Sequence, residues 1–162
     1  KMAMENKSTP TALILSRQNI QDLPAKTDRY DEALQAAKGA YIVQDEPDYD
    51  VILLASGSEV STLVAGARLL AADGIKSRIV SVPSEGLFRR QSKEYQDSVI
   101  PAGKKVFGLT AGLSVTLEGL VGYNGRVWGM NSFGYSAPYT VLDEKLGFTA
   151  ENVYKQVKDF LK

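Results

Sequence analysis

Cysteine and histidine are both absent from the 162 residues. The lack of thiols excludes disulfides, cysteine nucleophiles, iron–sulfur clusters and thiolate zinc sites. The lack of imidazoles excludes Ser–His–Asp triads, HExxH sites and most transition-metal sites. Any catalysis confined to this chain would therefore depend on carboxylates, lysine, tyrosine or an imported cofactor.

Net charge and long apolar runs are missing as well. Lys and Arg number 19 and Asp and Glu number 19, so the formal net charge is +0. A neutral chain has no electrostatic attraction for nucleic acid or for an anionic membrane. No apolar run approaches the ~18 residues of a membrane span, and the start at Lys1 has no signal-peptide pattern. We expect a cytoplasmic protein, and we interpret residues 1–7 as the end of a helix cut from something longer.

The amino acids that are present suit one domain plus a fragment. Hydrophobic residues make up 44% and charged residues 23% of the chain, which is ordinary for a globular domain. A domain of about this length buries roughly 68–70% of its unfolded surface. The chain is therefore long enough to form a hydrophobic core without disulfide or metal cross-links.

The middle of the chain has the pattern of a β-strand, a helix and a second strand. The continuous apolar run Val51–Ala55 is typical of a strand buried on both faces. Ser58 is a good N-cap for the following helix, and Gly74 is well placed to end it. Residues 77–82 are predicted to form the next strand, which ends before Pro83. This βαβ pattern predicts two parallel strands joined by a right-handed crossover.

The same alternation of strand and helix extends through most of the chain. Further strands are predicted over residues 11–16, 41–43, 105–109 and 126–130. Further helices are predicted over residues 28–38, 84–88, 92–99, 114–121 and 138–146, with a final helix capped by Thr149. The fold class is α/β: a three-layer arrangement with a mixed, mostly parallel sheet of about five strands and helices on both faces.

The turn from Gly57 to Glu59 is one candidate binding site. Backbone N–H groups at the start of a helix can bind an anion. Only one of the three glycines of the dinucleotide fingerprint is present, and the Glu59 carboxylate would repel a phosphate. A purely structural turn is thus favoured over the alternative, an independent regulatory module that binds a small anion or a nucleotide.

Arg17 is a second candidate, because it directly follows the apolar run 11–16. Ligands of open α/β sheets bind at the carboxyl ends of strands, where a guanidinium can hold a phosphate with two parallel hydrogen bonds. A surface arginine in a weak ion pair is the commoner alternative. The aromatic loop over residues 133–139 also has two interpretations, packing over the sheet edge or contact between subunits.

Several stretches together resemble the C-terminal part of transketolases. They occur in the order of that family, span almost the whole chain, and include the specific patterns LSRQN and GxxxFGxSAP. The matching stretches are TALILSRQNI (11–20), GAYIV (39–43), VILLASGSEV (51–60), RIVSVPS (78–84) and GMNSFGYSAP (129–138).

The resemblance implies a homodimeric three-domain transferase of the pentose phosphate pathway. Such an enzyme transfers a two-carbon ketol unit from a ketose phosphate to an aldose phosphate. It uses thiamine diphosphate and a divalent metal, Mg²⁺ or Ca²⁺, which the two earlier domains hold together with the catalytic glutamate and histidines. This chain is accordingly expected to bind no cofactor or metal, to be non-catalytic alone, and to support the dimer.

One functional residue of the family carries over to this sequence. Arg17 occupies the arginine of LSRQN, which in transketolases contacts the phosphate of the sugar substrate. The resemblance also implies that residues 1–25 are the tail of the preceding pyrimidine-binding domain, that 26–38 are a linker, and that 39–162 are the C-terminal domain. The strand predicted over residues 11–16 would then lack its parent sheet, so we expect it to be disordered or to pair with another chain.

Overall fold

A five-stranded mixed sheet forms the centre of the structure, a computed structural model that describes residues 1–23 and 28–162. The strands lie in the order β1-β3-β2-β4-β5. Neighbours among β2 to β5 are parallel, and β1 pairs antiparallel with β3 at one edge. The strand bounds are β1 Tyr41–Asp45, β2 Val51–Ala55, β3 Ser77–Ser81, β4 Lys105–Thr110 and β5 Arg126–Gly129. The predicted mixed, mostly parallel sheet is confirmed.

Helices cover both faces of this sheet. A short 3₁₀ helix, Gln35–Lys38, follows α2 and ends at Gly39 in the left-handed conformation. The helix bounds are α1 Met2–Glu5, α2 Arg29–Leu34, α3 Glu59–Ala72, α4 Glu85–Arg89, α5 Lys93–Val99, α6 Val115–Val121, α7 Tyr139–Leu146 and α8 Ala150–Leu161. Within the described residues, no helix is long and apolar enough to cross a membrane.

The hydrophobic core is divided by the sheet into two layers. Leu53 of β2 belongs to the layer beneath α3 and α8, together with Val153. The next residue of the strand, Leu54, faces the opposite layer beneath α4, α5 and α6, with Phe88. Every residue of β2 is fully buried, because successive side chains of a strand point to opposite faces and both faces are covered. The three-layer α/β fold predicted from the sequence is confirmed.

The packing of α3 on α8 depends on a glycine. A Cβ built at Gly66 of α3 would lie 2.6 Å from the Cγ1 atom of Val153 in α8. This separation is far below an ordinary van der Waals contact, so the two helices approach closely only because Gly66 has no side chain.

The strand predicted over residues 11–16 is not formed. Its apolar side chains are exposed, with 74% of Leu13, 95% of Ile14 and 82% of Leu15 accessible. Within the described residues, none of the five sheet strands pairs with this segment. An apolar run forms a strand only beside a partner strand, and the absence of such a partner in the described part of the chain agrees with the expectation that this run would not join the domain's own sheet. Pairing with another chain stays a prediction.

The predicted N-cap at Ser58 is also wrong, whereas the one at Thr149 is confirmed. Ser58 has helical dihedral angles and its side chain caps no amide of α3. Its hydroxyl instead donates to Oε1 of Glu59 at 2.8 Å. Thr149 is extended, and its Oγ1 accepts from the backbone N–H of Asn152 at 3.3 Å. An N-cap side chain reaches its amide only from the extended conformation.

Candidate functional site

The carboxyl ends of β2 and β4 form the point at which the strand order reverses. β2 pairs with β3 on one side and with β4 on the other, so the loops after β2 and β4 leave the sheet in opposite directions. Ligands of open α/β sheets bind in the crevice at such a point. The turn predicted as an anion site lies here, with Gly57 at a φ of 62° and α3 beginning at Glu59.

The carboxylate of Glu59 occupies this position in the structure. Burial has the largest effect and raises the pKa of the Glu59 carboxyl. The nearby carboxylate of Asp143 raises this pKa further. The Ser58 hydroxyl and the backbone amides of Glu59 and Ala111 lower the pKa, but the net change is upward. Ala111 follows β4, so one carboxylate interacts with the loops after both central strands. Burial also raises the pKa of the Asp143 carboxyl.

This arrangement disfavours binding of an external anion. The backbone amide of Glu59, at the start of α3, already interacts with the carboxylate of the same residue, and Asp143 adds a second acidic group beside it. An incoming phosphate would meet two carboxyl groups in place of free N–H donors. The alternative of an independent anion-binding or nucleotide-binding module is therefore not supported.

The residues present do not fit a metal centre either. In residues 1–23 and 28–162 there is no group of three or more Asp, Glu, His or Cys side chains that could hold a metal ion. Mg²⁺ and Ca²⁺ require several oxygen ligands.

Arg17 lies in an exposed segment, directly before Gln18, which lines one cavity together with Ser58, Glu59 and Asp143. Residues 4–17 are all exposed, and in the part of the chain that the structure describes Arg17 makes no salt bridge. The ion pair considered as an alternative from the sequence is thus not observed among these residues. Arg17 itself does not line the cavity that contains Glu59.

The residues that follow Arg17 border two cavities on the domain, although residues 19–22 are exposed, and the sequence analysis did not predict this. We call residues 18–23 the connector. Gln18 to Gln21 line a cavity of about 270 Å³ between α3 and the starts of α7 and α8. Ile20 to Leu23 line a second cavity of about 300 Å³ beside β1 and α3, and Leu23 packs against the hydrophobic core. The signal available in the sequence was the pair Ile20 and Leu23, three residues apart in a polar stretch.

The loop between β5 and α7 presents aromatic side chains to solvent. Phe133 is 96% exposed and Tyr135 67% exposed, so the expected packing over the sheet edge is not seen for these rings. The base of the loop is held by the N–H of Met130, which donates to the Gly112 carbonyl at 2.8 Å. The other interpretation, contact between subunits, stays a prediction.

Comparison with known proteins identifies the family. The family model of the transketolase-like TK C-terminal domain matches residues 39–149. This chain belongs to the transketolase family. The resemblance seen in the sequence is thereby confirmed, and so is the correspondence of the chain to a transketolase C-terminal domain.

Relatives of known structure and sequence agree over most of the chain. Transketolase 2 of Vibrio parahaemolyticus is 41% identical over 163 residues, which are 99% of this chain and 24% of the relative. The structure of transketolase from Leishmania mexicana aligns with this chain at a TM-score of 0.79 and 34% identity. The alignment covers 90% of this chain and 20% of the Leishmania chain. A Pichia stipitis transketolase in complex with sedoheptulose-7-phosphate has the same coverage, a TM-score of 0.77 and 29% identity. This chain spans about a quarter of the length of the curated transketolases that it matches.

Proposed function

We propose that this chain is the C-terminal part of a transketolase that transfers a two-carbon ketol unit between sugar phosphates. The observation that carries the proposal is the match of 99% of the chain to transketolases about four times its length. A neighbouring structure contains sedoheptulose-7-phosphate, which supports sugar phosphates as the substrate class. Thiamine diphosphate and a divalent metal, Mg²⁺ or Ca²⁺, would be held by the preceding domains, where the family has its catalytic glutamate and histidines.

In this proposal Arg17 binds the phosphate of the sugar substrate. Its guanidinium is exposed and unpaired among the described residues, so both sides of its planar fork are available. Arginine holds phosphate through two parallel charge-assisted hydrogen bonds. Arg17 would therefore select phosphorylated substrates without taking part in the chemistry.

The remainder of the chain would have a structural role in a cytoplasmic homodimer. Residues 1–25 would complete the preceding pyrimidine-binding domain, 26–38 would link the two domains, and 39–162 would form the C-terminal domain. The family match beginning at Gly39 supports this division. Exposed aromatic residues such as Phe133 and Tyr135 support a contact with another domain or subunit.

The experiment that tests the proposed function is Arg17→Ala in the complete enzyme. One charge-assisted interaction contributes about 1.5–3 kcal/mol, so kcat/KM should fall roughly 10- to 150-fold for phosphorylated donors and acceptors. The constants for the unphosphorylated sugars should not change. Arg68→Ala is a matched control, because Arg68 is an exposed arginine of α3 outside both cavities. An equal loss with unphosphorylated substrates would contradict the role of Arg17.

A further inference from the structure

The chain is less exposed at the two ends of the connector than before it, whereas residues 19–22 between those ends stay exposed. All residues from 4 to 17 are exposed, whereas Gln18 is half-buried. At the other end of the connector, Leu23 is half-buried and packs against the hydrophobic core. Arg17 is thus the last residue before the chain is held at both ends of a six-residue segment.

The surface that receives the connector is formed mainly by the first turns of α3. We call this surface the seat and define it as Ser61, Thr62, Ala65, Tyr139 and Thr149. Ser61 lines both cavities, and so do Ile20 and Gln21 of the connector. Part of the connector therefore borders cavities whose other walls include α3 and the starts of α7 and α8.

The seat is built on a rigid element. Glycine-mediated close packing holds α3 against α8, with the Cβ position of Gly66 only 2.6 Å from Val153 Cγ1. On the sheet side, Leu63 of α3 is fully buried in the core. Groups that must act in a precise geometry are held best by helices and strands whose own packing is locked. A connector that is anchored beside α3 is therefore held in a fixed position relative to the hydrophobic core.

Phosphate binding by an arginine depends on that precision. Two parallel hydrogen bonds require the plane of the guanidinium to match the phosphate oxygens. A displacement of about 1 Å in a group that positions substrate can cost roughly 100-fold in rate. A residue that anchors the backbone next to Arg17 therefore affects how strongly Arg17 binds phosphate.

We propose that the seat fixes the position of Arg17 through the connector, so that Ser61, Ala65 and Leu23 are positioning residues for phosphorylated substrates. This inference rests on the proposed role of Arg17 in binding phosphate. It assigns to the C-terminal domain a part in substrate selection that acts through Arg17. The selection acts on KM, because the chemistry takes place elsewhere in the enzyme.

The first test places a bulky side chain in the seat of the complete enzyme. Ala65→Trp and Ser61→Trp each fill the space that the connector uses. Each should raise the KM of phosphorylated substrates roughly 10- to 100-fold and leave kcat and the KM of unphosphorylated substrates unchanged. Leu69→Trp is the matched control, since Leu69 is exposed on the same helix but lines neither cavity. Leu23→Ser tests the same point without altering α3.

The absence of cysteine from the chain permits a second test that does not depend on activity. A single cysteine introduced as Leu23→Cys should react with a thiol reagent several-fold more slowly than one introduced as Leu15→Cys, which is 82% exposed in the parent. Adding Ser61→Trp should remove most of this protection, whereas adding Leu69→Trp should not. Equal labelling of Leu23→Cys and Leu15→Cys in the unaltered chain would overturn the seating of the connector.

The two tests separate this inference from the proposed function. If Arg17→Ala does not discriminate between phosphorylated and unphosphorylated substrates, the proposed role of Arg17 fails. If Arg17→Ala discriminates, but seat variants that expose Leu23→Cys leave the KM of phosphorylated substrates unchanged, the inference alone is overturned. A parallel rise in KM for unphosphorylated substrates would also overturn it, because that result indicates a general loss of structure.

Discussion

Arg78 of β3 binds the carboxylate of Asp45 in β1 through two parallel hydrogen bonds of 2.9 and 3.0 Å. The remaining terminal nitrogen of Arg78 donates to the backbone carbonyls of Ser98 and Val99, where α5 ends. The guanidinium also lies 4.4 Å from the centre of the Tyr49 ring. One side chain thus joins the antiparallel edge strand, its neighbour in the sheet and the carboxyl end of a helix.

We expect Arg78→Met to lower the free energy of unfolding by about 2–3 kcal/mol. The Arg78 side chain is only 13% exposed, so its loss leaves Asp45 and the carbonyls of α5 without their donor. Urea denaturation followed by circular dichroism would measure the change. Arg78→Lys should recover only part of the stability, because an ammonium cannot form the same two-pronged interaction.

A matched control for this prediction is the pair formed by Lys93 and Asp97. These residues are four apart on α5, and the lysine side chain is 74% exposed. Exposed pairs of this kind contribute roughly 0.3–0.5 kcal/mol, so Lys93→Met should change stability only slightly. Equal effects of Arg78→Met and Lys93→Met would mean that the geometry around Arg78 does not stabilise the fold.

Gly66→Ala should destabilise the protein, although alanine is the better helix former. Helix propensity favours alanine over glycine by about 1 kcal/mol, but the new Cβ would lie 2.6 Å from Val153 Cγ1 and 2.8 Å from its Cβ. Overpacking of this kind costs about 1–3 kcal/mol. We therefore expect a net loss of about 1 kcal/mol, measured as a shift of the urea midpoint.

Gly86 is a comparison site at which substitution by alanine should have the opposite effect on stability. It lies in α4, and a Cβ at this position would meet nothing within 4 Å. Gly86→Ala should raise stability by up to about 1 kcal/mol. Combining Gly66→Ala with Val153→Ala should be less than additive, because the second change removes Cγ1, the nearer of the two atoms of Val153 with which the first collides, and leaves only Cβ. Stabilisation by Gly66→Ala alone would contradict the proposed close contact of α3 and α8.

The fold was predictable for segments that are buried by other parts of the same chain. Val51–Ala55 is apolar throughout and became the fully buried β2, because neighbouring strands and helices of the same chain cover both of its faces. Residues 11–16 have a similar composition and remain exposed. Their burial depends on a partner strand, and a sequence pattern does not reveal whether that partner lies in the same chain.

The candidate site was predictable only in its location. The pattern of a strand followed by Gly57 and a helix indicated the crevice at the sheet reversal, and the structure has α3 beginning there. The interaction of the Glu59 carboxylate with Ala111 was not predictable, because packing of the sheet brings together loops that are distant in the chain. The connector was missed for the same reason, since the cavity lined by residues 18–21 is otherwise formed by α3, α7 and α8, which are distant in the chain.

The purified 162-residue chain should show no ketol transfer with thiamine diphosphate and magnesium added. It contains neither histidine nor cysteine, and in the described residues no group of side chains could hold the metal. A coupled assay with a ketose phosphate and an aldose phosphate would measure this, and the chain joined to its preceding domains would be the positive control. Turnover of the isolated chain above the blank would contradict the assignment of catalysis to the preceding domains.

Glu59→Gln should stabilise the protein increasingly as the pH rises above about 4.5. The folded state raises the pKa of the Glu59 carboxyl above its ordinary value of 4.5, mainly through burial. Between these two pKa values the folded state binds more protons than the unfolded state, so the contribution of Glu59 to stability falls as the pH increases. A glutamine keeps an oxygen that can accept from the Ser58 hydroxyl but carries no charge to desolvate.

The measurement for this prediction is the difference in unfolding free energy between the variant and the parent chain from pH 4 to pH 8. The difference should be smallest at the acidic end, grow through the pKa of the folded state, and then level off. Asp143→Asn is the informative second variant, because removing that carboxyl lowers the pKa of Glu59 and should reduce the gain from Glu59→Gln. A difference that is constant across this range would show that Glu59 titrates alike in the folded and unfolded states, and hence that its carboxylate is not buried at the reversal of the sheet.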